Sequence, residues 1–270
     1  MNALKTRLKQ VLPASLVRSL GDVRDSVARL KELPDAAFNP LRRDTVHRLS
    51  KLKDQYRGQR CFIIGNGPSL RNTDMSKLRQ EYTIGMNRIY LMFPELGFST
   101  TFFLSVNDLV VEQSASDIQQ LPIPKFVSWR SRRFLQPAED LYFLYTSYTG
   151  PKFAKDVRQR VWEGATVTYV ALQLAFYMGF QKVILIGVDH NFVTQGKPNT
   201  TVTSQGDDPN HFAPGYFGKG FRWQLPDLET SERSYAMARR AYESAGRQVV
   251  DATVGGKLTI FPKVDYNSLF

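Results

Sequence analysis

Short apolar runs and helical periodicities alternate along the chain from about residue 59. The apolar runs predict six strands, over residues 60–64, 82–87, 101–106, 125–129, 182–187 and 247–251. Apolar positions at helical spacing predict helices over residues 166–178 and 231–244, and a single helical turn within residues 73–80. Strands that alternate with helices are typical of a doubly wound, mostly parallel sheet. We therefore predict an α/β protein with a Rossmann-like fold.

The first 58 residues have a different pattern. Apolar residues at helical spacing predict helices over residues 2–12 and 14–33, separated by Pro13, and a third helix that leads to Tyr56. Residues 34–40 predict a linker between the second and third helices. We expect a helical appendage at residues 1–58, followed by a Rossmann-like domain at residues 59–270.

Residues 191–226 show neither the apolar runs of strands nor the apolar spacing of helices. They are rich in glycine, proline, asparagine, aspartate and threonine. An irregular loop of this length inside a compact domain is usually a functional element. We therefore expect an inserted lid over about residues 191–226.

The composition is that of a globular protein, with 42% hydrophobic and 23% charged residues. No apolar run approaches the roughly 20 residues that a transmembrane helix needs, and no secretory signal pattern is present. The single cysteine, Cys61, falls in a predicted buried strand, so neither a disulfide nor a zinc cluster is expected. These features predict a cytoplasmic protein.

The net charge of +11 is concentrated near the N-terminus. Residues 1–60 contain 14 Lys and Arg residues against six Asp and Glu residues, a balance of +8. Such a segment suits an acidic surface, and no nucleic-acid motif is present, so anionic lipid is preferred to nucleic acid. Two interpretations stay open. Residues 1–33 attach the protein peripherally to the inner face of a membrane, or they pack on the protein itself or on a second subunit.

The first predicted strand of the domain runs into a glycine-rich loop formed by Gly65, Asn66, Gly67, Pro68 and Ser69. Ligands of open α/β sheets bind outside the carboxyl ends of the strands, where the strand order reverses. Glycines let main-chain N–H groups approach a ligand closely, and Ser69 adds a hydroxyl near a predicted helix start, where phosphate is favoured. A tight turn that binds no ligand is the alternative interpretation.

Polar amides follow the next two strands, at Asn87 and at Asn107. The carboxyl ends of neighbouring strands meet at one edge of the sheet, so these amides would face the same crevice as the glycine loop. Either asparagine could instead cap a turn. No Walker lysine follows the glycines, and the third glycine of the dinucleotide fingerprint is missing, which disfavours P-loop use of ATP and binding of NAD.

These segments resemble a known family. Residues 63–70, 85–90 and 187–190 are similar to an uncharacterised bacterial domain related to 6-hydroxymethylpterin diphosphokinase, which also occurs in flagellin-glycosylation accessory proteins. The same pattern is similar to bacterial lipooligosaccharide sialyltransferases. Those enzymes carry a glycine-asparagine-glycine-proline-serine loop on a single Rossmann-like domain with an inserted lid. The resemblance covers about residues 59–270.

The sialyltransferase resemblance implies a donor of the cytidine-monophosphate-sugar kind. The glycine loop and Asn87 would contact the nucleotide and its phosphate, and Asn107 the sugar or ribose. Residues 164–168, with Thr166 and Thr168, would hold cytosine or the sugar carboxylate at a helix start. Asp189 would belong to the same donor site, at the end of the glycine-x-aspartate strand.

This chain departs from the sialyltransferase pattern at two positions. His190-Asn191-Phe192 stands where those enzymes place a tyrosine that supports the leaving phosphate, and the arginine that precedes their small polar segment has no clear counterpart. A related ulosonic acid or another activated sugar is therefore as well supported as sialic acid.

Sugar transfer with inversion needs a base that takes the proton of the acceptor hydroxyl, and histidine suits this task near neutral pH. His47 lies in the appendage, His190 at a strand end and His211 in the lid. The similar family carries its base on a lid histidine, which favours His211. His190 is the alternative base or a phosphate partner, and a purely structural role is open for both.

Other charged residues near the lid are candidates for binding. Arg88, Lys219 and Arg222 could bind phosphate or carboxylate. Asp207 and Asp208 could hold a divalent cation, but adjacent loop carboxylates are more often solvated or capping, so no metal site is predicted.

The sequence therefore predicts an inverting glycosyltransferase. Its donor would be a nucleotide-activated sugar and its acceptor a cell-surface glycan or a lipid-linked glycan, with no cofactor required. The second enzyme hypothesis is an ATP- and magnesium-dependent diphosphokinase acting on a pterin-like alcohol. The non-enzyme hypothesis is a nucleotide-binding accessory protein of a glycosylation pathway.

Overall fold

The computed structural model describes Val23, Val27 and residues 30–148, 150–193 and 196–270. The two predicted N-terminal helices, over residues 2–12 and 14–33, lie largely outside this part of the chain. The α-helices in the described part are α1 (Leu33–Phe38), α2 (Pro40–Leu52), α3 (Phe93–Leu96), α4 (Asp108–Gln113), α5 (Ala115–Gln120), α6 (Val167–Met178) and α7 (Leu228–Ser244). Short 3₁₀ helices span Leu30–Glu32, Pro68–Asn72, Met75–Leu78, Ile89–Met92, Trp129–Arg133 and Asn267–Leu269.

Ten strands accompany these helices. They are β1 (Arg60–Ile64), β2 (Tyr82–Met86), β3 (Phe102–Ser105), β4 (Lys125–Ser128), β5 (Leu141–Ser147), β6 (Arg160–Trp162), β7 (Lys182–Ile186), β8 (Thr201–Thr203), β9 (Arg222–Gln224) and β10 (Gln248–Asp251).

Eight of the strands form one parallel sheet in the order β10-β7-β1-β2-β3-β4-β5-β6. The chain builds outward from β1 in one direction and then returns to add β7 and β10 on the other side. The strand order therefore reverses between β1 and β7, and the loops after these two strands border the crevice where such sheets bind ligands. The predicted doubly wound, Rossmann-like fold is confirmed.

The sheet is buried on both faces, which explains why its strands are continuous apolar runs in the sequence. Along β1, Cys61 and Ile63 face one core, and Phe62 and Ile64 face the other. The first core is covered by α6 and α7, and the second by α4, α5 and aromatic residues of the lid. Helix α6 is buried almost all round and ends at Gly179, whose φ of 97° is left-handed.

The predicted linker over residues 34–40 is wrong. Residues Leu33–Phe38 form α1, and α2 begins at Pro40. Pro34 and Pro40 both stand in the first turn of a helix, where the missing N–H is not needed for an intrahelical hydrogen bond. The two prolines therefore start helices here.

Helix α2 is part of the same hydrophobic core as the sheet. Thr45 and Leu49 are fully buried, the Arg42 guanidinium donates to the Arg158 carbonyl at 2.7 Å, and the Tyr177 hydroxyl donates to the Leu49 carbonyl at 3.0 Å. Burial lowers the pKa of Arg42 to about 10. Residues 40–52 thus pack against the domain, and the boundary after residue 58 stays a prediction.

The segment over residues 191–226 follows β7 and precedes α7. Strands β8 and β9 pair within it as an antiparallel hairpin, and most of its other described residues are irregular. Among the helices that the structure describes, none combines the length and the apolar character that crossing a membrane requires.

Candidate active site

A cavity of about 540 Å³ opens at the carboxyl edge of the sheet, where the strand order reverses. Its walls come from the glycine loop, the ends of β2, β3 and β7, the starts of α6 and α7, and the lid. Most of the predicted site residues line it, namely Gly65, Asn66, Gly67, Asn87, Asn107, Thr166, Thr168, Asp189, His190 and His211. The structure thus brings together residues that are up to 146 positions apart in the sequence (Gly65 to His211).

The two loop glycines are required where the ends of β1 and β7 meet. A Cβ atom on Gly65 would lie 2.1 Å from the Gly187 carbonyl oxygen, and one on Gly67 would lie 1.8 Å from Asp189 Oδ2. Neither distance is compatible with a side chain. The glycines therefore permit close packing of two strand ends, in addition to lining the cavity.

Pro68 and Ser69 do not take the predicted position beside a ligand. Neither lines the cavity, and the expected helix start is only a 3₁₀ segment, Pro68–Asn72. The Ser69 hydroxyl donates to Asp189 Oδ2 at 2.7 Å, and the Ser69 amide donates to Asp189 Oδ1 at 3.0 Å. Ser69 thus orients the Asp189 carboxylate. The Ser69 hydroxyl is therefore already engaged within the protein.

Asn66 lines the cavity and has one unsatisfied side-chain atom. Its side-chain Oδ1 is buried and has no hydrogen-bond partner among the described residues. Its main-chain carbonyl accepts from the Phe212 amide of the lid at 2.9 Å. A buried amide without a partner costs free energy, so this group is suited to a polar ligand.

Asn87 and Asn107 both line the cavity, and each also has a structural role. Asn87 adopts a left-handed backbone (φ 52°) and accepts from the Ser105 hydroxyl at 3.0 Å. Asn107 is the N-cap residue of α4, where its Oδ1 accepts from the Leu109 amide at 2.9 Å. Its Nδ2 is left to face the lid, where it reaches Gln224 Oε1 at 3.5 Å.

The start of α6 also lines the cavity. Thr166 is the N-cap residue, and its hydroxyl lies 3.2 Å from the Tyr235 hydroxyl. Gly164 and Ala165 both have positive φ angles, which turn the chain into the helix. First-turn N–H groups of a helix favour an anionic ligand.

Arg130 is a cavity residue that the sequence analysis did not identify. It follows β4 and donates to Asp108 at 3.1 Å and to Glu163 at 2.7 Å, while its Nη1 is buried without a partner among the described residues. Burial lowers the pKa of Arg130, but the two carboxylates outweigh this effect and raise it above its ordinary value. Because Glu163 directly precedes residues 164–168, its bond to Arg130 places an arginine beside this segment. The sequence had indicated no clear arginine there.

His211 forms a dyad with Asp208 in the lid. Its Nδ1 lies 2.8 Å from Asp208 Oδ2, and Asp208 also accepts from the amides of Asn210 and Phe217. The imidazole stacks on Tyr216 with the ring centroids 4.0 Å apart and an interplanar angle of 6°. Asp208 holds the Nδ1 proton of the neutral ring, and Nε2 has no hydrogen-bond partner among the described residues. Nε2 is therefore the basic nitrogen.

His190 lines the same cavity with a different partner. Its Nε2 lies 2.8 Å from Glu232 Oε1 on α7, and its side chain is 9% exposed. The residue has a φ of 53° directly after Asp189. The cavity therefore contains two histidines, each held by a carboxylate.

The three predicted anion-binding cations do not line the cavity. Arg88 donates to the Tyr216 carbonyl, Arg222 pairs with Glu112 at 2.9 Å, and Lys219 is likewise absent from the lining. Arg88 and Arg222 instead attach the lid to the sheet domain. Asp207 and Asp208 belong to no group of three or more metal-binding side chains within the described ranges.

The lid is attached on two sides. Near the glycine loop, the Phe212 amide donates to the Asn66 carbonyl, and the Arg71 guanidinium donates to the Phe212 carbonyl. Near α4, the Gln113 side-chain amide donates to the Arg222 carbonyl and accepts from the Arg222 amide, both at 2.8 Å. These contacts hold His211 over the cavity.

A search of curated proteins finds no match. One similar solved structure is the MAf glycosyltransferase from Magnetospirillum magneticum AMB-1, with 15% sequence identity and a TM-score of 0.49 over 91% of this chain. The likeness covers 42% of that protein, so this chain spans less than half of its length.

A family model described as 6-hydroxymethylpterin diphosphokinase MptE-like matches residues 38–195. The match begins inside the predicted appendage, near the start of α2, and ends at the start of the predicted lid. It includes the glycine loop, Arg130, the start of α6 and His190, and it spans more than half of the 270 residues. The resemblance expected from the sequence is confirmed, and the chain belongs to the 6-hydroxymethylpterin diphosphokinase MptE-like family.

Proposed function

We propose that the protein is an inverting glycosyltransferase that uses a nucleotide-activated sugar. The observation that carries this proposal is the His211–Asp208 dyad, whose unpaired Nε2 belongs to a residue on the wall of a cavity at the carboxyl edge of the sheet. A histidine oriented by a buried carboxylate is an arrangement suited to general-base catalysis.

The proposed reaction is one displacement. His211 Nε2 takes the proton of the acceptor hydroxyl while the acceptor oxygen attacks the anomeric carbon of the donor. The bond from that carbon to the phosphate oxygen breaks, and the nucleotide leaves with the electron pair. Attack from the face opposite the phosphate inverts the anomeric centre. The step needs no metal and no second cofactor.

The donor is proposed to lie along the sheet edge. The glycine-loop backbone and the Asn66 amide would contact the nucleotide, and His190 would lie beside the leaving phosphate. The N–H groups in the first turn of α6 suit an anionic group on the sugar. A CMP-linked sialic acid or related ulosonic acid, which carries a carboxylate, is therefore our preferred donor, in line with the sialyltransferase resemblance.

The acceptor is proposed to be a cell-surface glycan or a lipid-linked glycan. The charge balance of +8 over residues 1–60 would hold the protein peripherally at an anionic membrane on its cytoplasmic side. Attachment through residues 1–33 is part of this proposal.

A nucleotide-binding screen tests the proposal. Thermal shift and calorimetry would compare CMP, UDP, GDP, ADP and ATP, each with and without magnesium. We expect CMP to stabilise the protein without magnesium, because a ligand that binds the folded state raises the unfolding temperature.

Two other results would replace the proposal. The family description names a diphosphokinase, and binding of ATP only with magnesium would favour that activity. Binding of a nucleotide without turnover of any activated sugar would favour an accessory protein.

A further inference from the structure

One wall of the cavity is built from neutral groups. We name it the hairpin wall, and it consists of Asn107, Tyr148, Asn199, Trp223, Gln224 and Leu225. It contains an indole, three amides, a phenol and an isobutyl side chain, none of which is charged at neutral pH. Among the charged lining residues, Arg130 bonds to Asp108 and to Glu163, and these three form a cluster of their own.

Contacts between its members make the hairpin wall continuous. The main-chain N–H of Asn199 donates to the main-chain carbonyl of Leu225 at 2.9 Å, and the Tyr148 hydroxyl donates to the side-chain Oδ1 of Asn199. At the other end, Asn107 Nδ2 reaches Gln224 Oε1 at 3.5 Å. This last hydrogen bond is long, so Asn107 Nδ2 and the Gln224 side chain keep most of their hydrogen-bonding capacity, whereas Asn107 Oδ1 caps α4.

Trp223 provides a fixed flat surface in this wall. The residue is half-buried and lines the cavity. Its ring stacks on Phe217 with centroids 5.5 Å apart at 28°, and Phe217 stacks on Phe221 at 4.8 Å and 18°. A ring packed in this way needs little ordering when a ligand binds to it.

Phe217 also connects Trp223 to the proposed base. The centroids of His211 and Phe217 lie 4.8 Å apart at 67°. One phenyl ring therefore separates the indole from the imidazole that would take the acceptor proton. A ligand resting on Trp223 lies on the lid side of the cavity, next to the base.

We propose that the hairpin wall is the acceptor subsite and that it binds a neutral sugar residue. A pyranose has an apolar C–H face that suits the indole of Trp223, and a rim of hydroxyls that suits the amides of Asn107 and Gln224. The inference rests on the proposed function, because it places the acceptor of that reaction. It assigns the neutral wall to the acceptor and leaves the charged cluster to the donor.

Saccharide binding without any nucleotide tests the subsite directly. The probes are methyl β-galactopyranoside, methyl N-acetyl-β-glucosaminide and N-acetyllactosamine, followed by saturation-transfer NMR and tryptophan fluorescence. We expect at least one probe to bind, and Trp223→Ala to weaken that binding about tenfold or more, a loss of roughly 1.4 kcal/mol. Trp223→Phe should retain part of the affinity, since it keeps an aromatic face.

Trp162→Phe is the matched control, because Trp162 lies on β6 and outside the cavity lining. It should leave saccharide binding unchanged. CMP affinity, measured separately, should be the same in Trp223→Ala as in the unmodified protein.

Three results would overturn the inference. If Trp223→Ala lowers CMP affinity about tenfold, the indole stacks on a nucleobase. If no neutral saccharide binds, or if a serine- and threonine-containing peptide binds at Trp223 in its place, the wall does not receive a sugar. Trp223-dependent saccharide binding in a protein that binds no nucleotide would keep the subsite and reject the proposed function.

Discussion

His211 and His190 differ in the carboxylate that holds each ring. Asp208 is almost fully buried and accepts two backbone amides as well as the His211 ring. Glu232 is about half exposed and bonds His190 from α7. In the proposed mechanism the first histidine is the base, and the second lies beside the leaving phosphate, close to the end of β7. The two residues are therefore expected to affect different steps.

Replacing His211 by alanine should slow turnover by roughly 10²–10⁴-fold, the usual effect of removing a general base. Donor affinity should change little, and the acidic limb of the pH–rate profile should disappear, because protonation of the base causes that limb. Steady-state kinetics across pH and calorimetry with the donor nucleotide check both points.

The comparison variant for His211 is His190→Ala, which should weaken donor binding as well as turnover. Asp208→Asn should also slow turnover, since it removes the carboxylate that orients Nδ1. If His190→Ala removes the acidic limb and His211→Ala remains near the unmodified rate, His190 is the base and the lid only encloses the site.

Gly67 should tolerate no side chain, for a reason of packing. A Cβ atom there meets the Asp189 carboxylate at 1.8 Å, so Gly67→Ala should destabilise the fold by about 1–3 kcal/mol. Denaturant unfolding measures this change. Gly215→Ala is the control, because its Cβ atom would meet nothing within 4 Å. Equal stability of the two variants would contradict the close contact between the strand ends.

The sequence predicted most of the cavity residues but misassigned others. Residues at strand ends, such as Asn87 and Asp189, were predictable because parallel strands direct their carboxyl ends to one edge. Arg88 and Arg222 were misassigned because their charge does not show that they hold the lid. Arg130 was missed because it follows a short strand without any motif, and Glu163, its partner, is 33 residues away.

One side chain of α4 pairs with the backbone of the lid hairpin. Gln113 forms two hydrogen bonds of 2.8 Å with the backbone of Arg222, as a neighbouring strand would. Gln113→Ala should therefore increase hydrogen exchange at Arg222 about 5- to 30-fold, corresponding to roughly 1–2 kcal/mol of local stability. The Gln120→Ala variant on α5 is the control and should leave exchange in residues 196–226 unchanged. Unchanged exchange in Gln113→Ala would show that the other lid contacts suffice.

At the level of elements, the predicted strands agree with β1, β2, β3, β4, β7 and β10 to within one or two residues at each end. The runs of β1 and β7 are followed by glycine and the run of β2 by asparagine, which marks the boundary in the sequence, whereas β4 and β10 have no such ending. Strand β5 was missed, although its residues are almost as deeply buried as those of the predicted strands. Strand β6 is only three residues long, too short for a periodicity to be detected.

The charge distribution differs from what the sequence alone indicated. Arg42, Arg48 and Arg60 belong to the basic N-terminal 60 residues, yet each donates to a backbone carbonyl of the sheet domain. Part of the positive charge therefore stabilises the fold and is not available to an acidic surface.

Deleting residues 1–12 tests the membrane proposal for the whole molecule. Turnover of a soluble acceptor should persist, and binding to vesicles of phosphatidylserine and phosphatidylcholine should fall. Co-sedimentation at low and at high salt measures the effect, because screening weakens attraction between charges. Loss of folding or a change of oligomeric state in the truncated protein would instead favour packing of this segment on protein.

Alkaline pH should unfold the protein through its buried tyrosines. Burial raises the pKa of Tyr177 to about 12, and burial also raises the pKa values of Tyr169, Tyr216, Tyr235, Tyr242 and Tyr266. A tyrosine in the unfolded chain ionises near pH 10. The stability these groups contribute is therefore complete below about pH 10 and is lost as pH rises towards 12.

Thermal unfolding between pH 7 and pH 11 measures this loss, with phenolate absorbance recorded in parallel. We expect the unfolding temperature to fall from about pH 10 onward, and phenolate absorbance to rise with unfolding. Tyr177→Phe should make the fall less steep. An unfolding temperature that stays constant to pH 11 would contradict the raised pKa values of the buried tyrosines.

Asn66 connects the glycine loop to the lid. The residue lines the cavity, and its carbonyl accepts from the amide of Phe212, the residue next to His211. A nucleotide sugar that bonds the Asn66 amide therefore also stabilises the position of the lid, and with it the place where the acceptor binds. Binding of the two substrates is then coupled, and the coupling free energy is the same in both directions. In binding experiments, each substrate should therefore lower the dissociation constant of the other by the same factor.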